Sequence, residues 1–332
     1  MVDHVDGAHD LSRDVSNSEK VLFSPLIPIK RELSIDSISS LLKRAFLPRG
    51  GEPFKKAPID QGLRISRPNK FVTALQSHDS LNYYIAGCGN RISNDVSIQL
   101  YQFGDKRELL NFSVPSEGYI TKCRFDPYGA RFGASDSKGT LFLWNFTHVL
   151  ERPVEMKNCH RGSISDFVFL NSNSMIATCA ASGNHVNVCI WDTLMPVGKV
   201  NVKSVKIGED GINCLALSVL HSLLICGGRR GMIFILDAER GFSLVNQFQA
   251  HDHGVSSLIV KGDVMVSGST GGALRSWYLP SIRTEEPNST CISEPGTFGI
   301  TGSQTVSDSL HIAMTDGSLR SLRFPQFSCP ML

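Results

Sequence analysis

The chain reads as an all-β propeller of six blades behind a mostly disordered N-terminal tail, and three observations point there. A bulky residue closes a short strand at Tyr101, Trp144, Trp191, Leu236, Trp277 and Leu322, at spacings of 43, 47, 45, 41 and 45 residues. A period of about 40–45 residues is that of a four-stranded blade. Each anchor follows a run ending in small residues, such as Phe132-Gly-Ala-Ser and Leu223-Leu-Ile-Cys-Gly-Gly, and a glycine turn. The two runs form hairpins through the Gly, Asp and Asn turns that tight connections require. An alternating apolar strand precedes each hairpin.

In chain order, those leading strands begin at Phe71, Ile120, Ile164, Ile212, Val255 and Phe298. Outer strands are weakest, with Gly198-Lys-Val-Asn-Val and Phe242-Ser-Leu-Val as candidates. The sixth blade stops at its third strand, because ten residues follow Leu322. Gly62-Leu-Arg-Ile-Ser66 stands before the first blade without a hairpin, so the two loose ends are expected to pair and cover an exposed edge. Six blades are recognisable; a seventh stays open. The domains are expected at 1–60, a tail, and 61–328, the propeller. Within the tail, 36–46 reads as an amphipathic helix with Asp36 as N-cap, Ile38, Leu41, Leu42, Ala45 and Phe46 on one face, and Pro48 and Gly50 beyond its end.

Composition narrows the function. Of 332 residues, 19% are charged and the net charge is +2, which gives no general attraction to nucleic acid or anionic membranes. Nine cysteines lie singly, with no C-x-x-C pair, and read as reduced core thiols. No apolar run reaches the roughly 18–20 residues of a membrane helix, and no h-region follows Met1, so a cytoplasmic protein is expected.

Trp191-Asp192 and Ala250-His251-Asp252 resemble WD40 repeats. More specifically, Ser165-Asp-Phe-Val-Phe169 with Met175-Ile-Ala-Thr178, Asn187-Val-Cys-Ile-Trp-Asp-Thr-Leu194, Leu223-Leu-Ile-Cys-Gly-Gly-Arg-Arg-Gly231 and Phe248-Gln-Ala-His-Asp252 look like the C-terminal WD40 propeller of the rabconnectin (DmX-like) family. That resemblance implies a scaffold in complexes that regulate assembly of the vacuolar proton pump (V-ATPase) and vesicle acidification, with Rab regulators among the partners. It implies a cytoplasmic location, peripheral on vesicle or endosomal membranes. The alternatives are a WD40 adaptor in another complex and a propeller that binds a small molecule in its central channel.

No catalytic, cofactor or metal site is expected: no G-x-S-x-G, H-E-x-x-H or phosphate-cradle motif occurs. His160 and His251 are expected to tie strands together as in WD40 blades, with Trp144, Trp191, Asp192, Asp237 and Trp277 completing the signature. The second blade offers Ser135, Asp136 and Trp144 without a histidine, and the fifth offers His251, Ser269 and Trp277. The turns between second and third strands suggest a partner face carrying Arg229, Arg230, Asp136, Lys138, Arg161, Asn184, His185, Asp252 and Asp316. Its mixed sign favours a protein partner over nucleic acid.

Overall fold

A computed structural model describes residues 70–78, 83–90, 95–102, 108–146, 152–170, 174–181, 186–195, 199–306 and 308–326. Its strands fall into six antiparallel sheets. Blade one is β1 (Lys70–Ser77), β2 (Tyr83–Asn90), β3 (Val96–Gln102) and β4 (Glu108–Val114), and blade two is β5 (Ile120–Phe125), β6 (Arg131–Asp136), β7 (Leu141–Asn145) and β8 (Val154–Met156). Blade three comprises β9 (Ile164–Phe169), β10 (Met175–Ala180), β11 (Val188–Asp192) and β12 (Asn201–Val205). Blade four holds β13 (Ile212–Ser218), β14 (Leu223–Gly228), β15 (Met232–Asp237) and β16 (Ser243–Gln249). Blade five holds β17 (Val255–Lys261), β18 (Val264–Ser269), β19 (Leu274–Tyr278) and β20 (Ser289–Ser293). Among the described residues blade six has three strands, β21 (Ile300–Val306), β22 (Ser309–Met314) and β23 (Leu319–Arg323).

The predicted six blades are therefore present, and among the described residues the last has three strands. Two strands start later than expected, β12 at Asn201 rather than Gly198 and β21 at Ile300 rather than Phe298. The tail at 1–60, the helix at 36–46, the strand at 62–66 and the bounds at 61 and 328 lie outside the described residues.

Apolar alternation builds the blade contacts. Ile98, Leu100 and Phe112 of blade one meet Phe132 and Trp144 of blade two. Further seams join Leu143 to Trp191, Ile190 to Leu224, Ile235 to Trp277, and Leu274 to Ile312. Between blades six and one, Gln304 donates from Nε2 to the Ser77 carbonyl at 3.0 Å.

Each inner strand carries a β-bulge near its start, at Thr73, Thr121, Ser165, Asn213, Ser256 and Thr301. A bulge leaves one residue outside the ladder. A short polar side chain compensates: Ser256 Oγ donates to the Gly268 carbonyl at 3.2 Å and Thr301 Oγ1 to that of Ala313 at 3.0 Å. Asn213 instead reaches the next blade, at the Val255 carbonyl. Gly231 shows why the hairpin glycines recur. Its φ is +82°, and a Cβ there would lie 1.8 Å from the His251 carbonyl oxygen.

Candidate partner-binding face

In blades two, four and five the turn between the second and third strands is bonded to the loops that open its own blade and the next, and in blade six to the loop that opens its own. Ser137 N donates to the Tyr119 carbonyl and Cys159 N to that of Gly139; Arg229 N donates to Gly211 and Ala250 N to Gly231. These repeated bonds bring the β6–β7, β14–β15, β18–β19 and β22–β23 turns to one end of the ring. Lys138, Arg161, Arg229, Arg230, Asp252 and Asp316 all lie there, exposed. Arg230 Nε pairs with Asp210 at 2.9 Å, and Arg229 reaches the Ala181 carbonyl of blade three. Asn184 and His185 fall outside the described residues.

Asp136 does not belong on that face. It is 1% exposed, and its carboxylate takes the Lys138 and Thr140 amides and the Ser116 hydroxyl. Ser116 sits four residues before the inner strand, as His160 and His251 do in their blades, so a serine takes the histidine's place in blade two. Three apolar side chains that the motif reading overlooked share the exposed end: Tyr119, Val186 and Phe298.

The signature residues build rigid blades. In blade three the Thr178 hydroxyl binds His160 Nε2 at 2.9 Å and accepts from Trp191 Nε1 at 2.8 Å. Blade five repeats this with Ser267, at 2.7 Å from His251 Nε2 and 2.8 Å from Trp277 Nε1. The expected Ser269 is thus replaced by Ser267, two residues earlier on β18; Ser269 Oγ accepts the Gly271 amide instead. In blade two, Ala134 occupies the hydroxyl position, Ser135 bonds Thr121, and Trp144 stacks on Phe132 at 5.1 Å. Burial pushes the His160 and His251 imidazoles down to about 4, so both are neutral at physiological pH. Asp192 and Asp237 cap the turns after β11 and β15, and the Arg283 hydrogen bond holds the Asp237 carboxyl below the usual carboxylate range.

A second element escaped the motif reading. Arg124 of β5 makes a bidentate pair with Asp166 of β9, donating from Nη2 at 2.7 Å and from Nε at 3.2 Å, and Asp166 also accepts the Leu215 amide of β13. One buried carboxylate therefore ties three inner strands. The signal was a lone charge inside the apolar run Ile164-Ser-Asp-Phe-Val-Phe.

Seven of the eight described cysteines are buried, Cys291 being the exposed one. Burial pushes Cys189 up to about 11 and Cys214 up to about 12, keeping these thiols protonated and unreactive. Among the described residues, no three His, Cys, Asp or Glu side chains cluster as a metal site needs, and no helix is long and apolar enough to cross a membrane.

Comparison with known proteins fits this geometry. The chain is 32% identical over 220 residues to mouse DmX-like protein 1 and 31% over 221 residues to the human protein, in each case 64% of this chain. It resembles the rabconnectin (DmX-like) family. The chain spans 7% of the length of these DmX-like relatives, and no protein-family model matches it. Among solved structures, U3-55K aligns with a TM-score of 0.62 at 17% identity over 79% of each chain. Sqt1 of Chaetomium thermophilum, bound to the N-terminus of ribosomal protein L10, aligns at 0.58 and 15% identity over 76% of this chain and 71% of Sqt1. The chain is thus an all-β propeller of the WD40 type, a fold that does not by itself set a function.

Proposed function

We propose that the chain is a non-enzymatic scaffold module of a rabconnectin-type protein that regulates vacuolar proton-pump assembly and vesicle acidification through protein contacts. It works in the cytoplasm, held at vesicle or endosomal membranes by its partners. The observation that carries this reading is the end of the ring where Lys138, Arg161, Arg229, Arg230, Asp252 and Asp316 lie around exposed Tyr119, Val186 and Phe298. Charges of both signs among aromatic and aliphatic anchors suit a protein surface, and arginine and tyrosine are favoured where interfaces concentrate their energy. The likeness to DmX-like protein 1 supports the family reading from which the pathway is inferred, and Sqt1 is a propeller of similar fold bound to a protein N-terminus.

The test is affinity purification from cells with mass spectrometry, comparing the wild-type chain with Arg229→Glu/Arg230→Glu. Both arginines are exposed turn residues, so the variant should fold with an unchanged urea midpoint. Proton-pump or rabconnectin-complex subunits should be recovered with the wild type and depleted at least fivefold with the variant. Their absence from the wild-type sample would sink the pathway assignment, and equal recovery by the variant would remove this face from the contact.

A further inference from the structure

Five junctions between neighbouring blades are sealed in one way, and the junction between blades six and one differs. Immediately before the bulge of each inner strand stands a branched residue: Val72, Ile120, Ile164, Ile212, Val255 and Ile300 in blades one to six. In blades two to six it packs with the preceding blade and is at most 2% exposed, whereas Val72 is 38% exposed. Three residues further on, Cys123, Phe167, Leu215 and Leu258 are at most 7% exposed in the same seams; their counterpart Leu75 is 56% exposed.

Register puts Val72 and Leu75 on one wall. Val72 pairs with Cys88 and Leu75 with Ala86, on the face opposite to Ala74, Ile85 and Ile98, which pack on blade two. That wall is turned toward blade six, where Leu319, the counterpart of Leu274, is itself 68% exposed. The two walls therefore do not seal each other, and Gln304 reaches across to the Ser77 carbonyl.

The chain carries an occupant of its own. Residues 1–69 lie outside the described residues and join the propeller at Lys70, two residues before Val72. Ile38, Leu41, Leu42, Ala45 and Phe46 share one face of the helix expected at 36–46, which is too short to stand alone in water. The 23 residues between Phe46 and Lys70 reach up to roughly 80 Å, and the four strands of a blade span only about 15 Å. Even with 62–66 paired to blade six, the 15 residues that follow Phe46 reach roughly 50 Å. Tethering gives the segment an effective concentration that a second copy or a separate protein lacks.

We propose that the apolar face of residues 36–46 docks on the Val72 and Leu75 wall of blade one, so that the chain's own N-terminal segment covers the unsealed junction. This wall is distinct from the charged end of the ring, and the docking does not depend on the pathway assigned above.

Maleimide labelling of the full 332-residue chain, read site by site by mass spectrometry, tests this. It compares Leu75→Cys with Leu220→Cys, a reference on the β13–β14 turn where the leucine is 68% exposed. Leu75→Cys should label roughly tenfold more slowly than the reference, as a site that reacts only when its cover opens. Leu41→Glu/Leu42→Glu should remove that protection and leave the reference rate unchanged, and Ile38→Asp/Phe46→Asp, at the two ends of the same face, should act alike. Equal labelling of the two sites with the tail unaltered, or protection that survives either double substitution, would overturn the proposal. So would protection that disappears on dilution, since a second copy would then hold the wall.

Discussion

Strands β19 and β23 are near copies of one another, Leu274-Arg-Ser-Trp-Tyr and Leu319-Arg-Ser-Leu-Arg, each entered through a glycine turn with φ above +80°. Their surroundings are opposite. Leu274 is 1% exposed because β20 flanks its strand and blade six packs on its face; Leu319 is 68% exposed, and among the described residues no outer strand flanks β23. The same local sequence thus forms the same strand in both blades, while its energetic weight comes from what lies against it. Blade five is locked into the ring by cover on both sides, which among the described residues β23 of blade six lacks.

Acidification should weigh most on blades three and five, which bury an opening histidine where blade six has Gly296. His160 and His251 stay neutral in the folded chain down to about pH 4, whereas unfolded histidine takes up its proton near 6.5. The unfolded state therefore binds more protons between those values, and stability falls as pH drops from about 6.5 to about 4, by about 3 kcal/mol for each histidine. Urea unfolding across that range should show the loss, and His160→Asn/His251→Asn should flatten it; an unchanged slope would refute the neutral assignment.

Core truncation comes next. Leu274→Ala should cost about 3 kcal/mol by opening a cavity between blades five and six, while Leu319→Ala should stay within about 0.5 kcal/mol; equal midpoint shifts would mean that the seam is closed over β23. The hairpin glycines give a smaller contrast. Gly231→Ala meets the His251 carbonyl as well as an unfavourable φ, but a Cβ at Gly317 meets nothing within 4 Å. The second substitution should cost only the left-handed backbone term, about 1 kcal/mol, and the first clearly more, read from the same melts. The smallest effect belongs to the closing contact: Gln304→Ala, which loses the bond to Ser77, should cost about 1 kcal/mol or less.

Much of the ring was legible because hydrophobic period and turn chemistry are local. Six anchors, their hairpins and the short sixth blade could be read directly, as could the exposure of Arg229 and Arg230 in a glycine-rich turn. Register was harder. Ser267 and Ser269 are equally plausible partners for His251 in a list of residues, and only the pairing of Ser267 with Arg275 places its hydroxyl between histidine and tryptophan. Asp136 looked like a surface charge because turns are usually solvated, yet Ser116 and two backbone amides draw its carboxylate inside.

By itself the sequence determined the repeat, the strand order within each blade, the glycine turns and the family likeness, all of which depend on neighbours within about one period of the chain. Tertiary structure alone decided the Arg124–Asp166 tie across three inner strands, which of the turn charges remain exposed, and the fate of the two look-alike strands. The Arg124–Asp166 tie spans some 40 residues or more, Asp136 is drawn inside by Ser116 of the preceding loop, and a strand's own residues do not say whether anything lies against it.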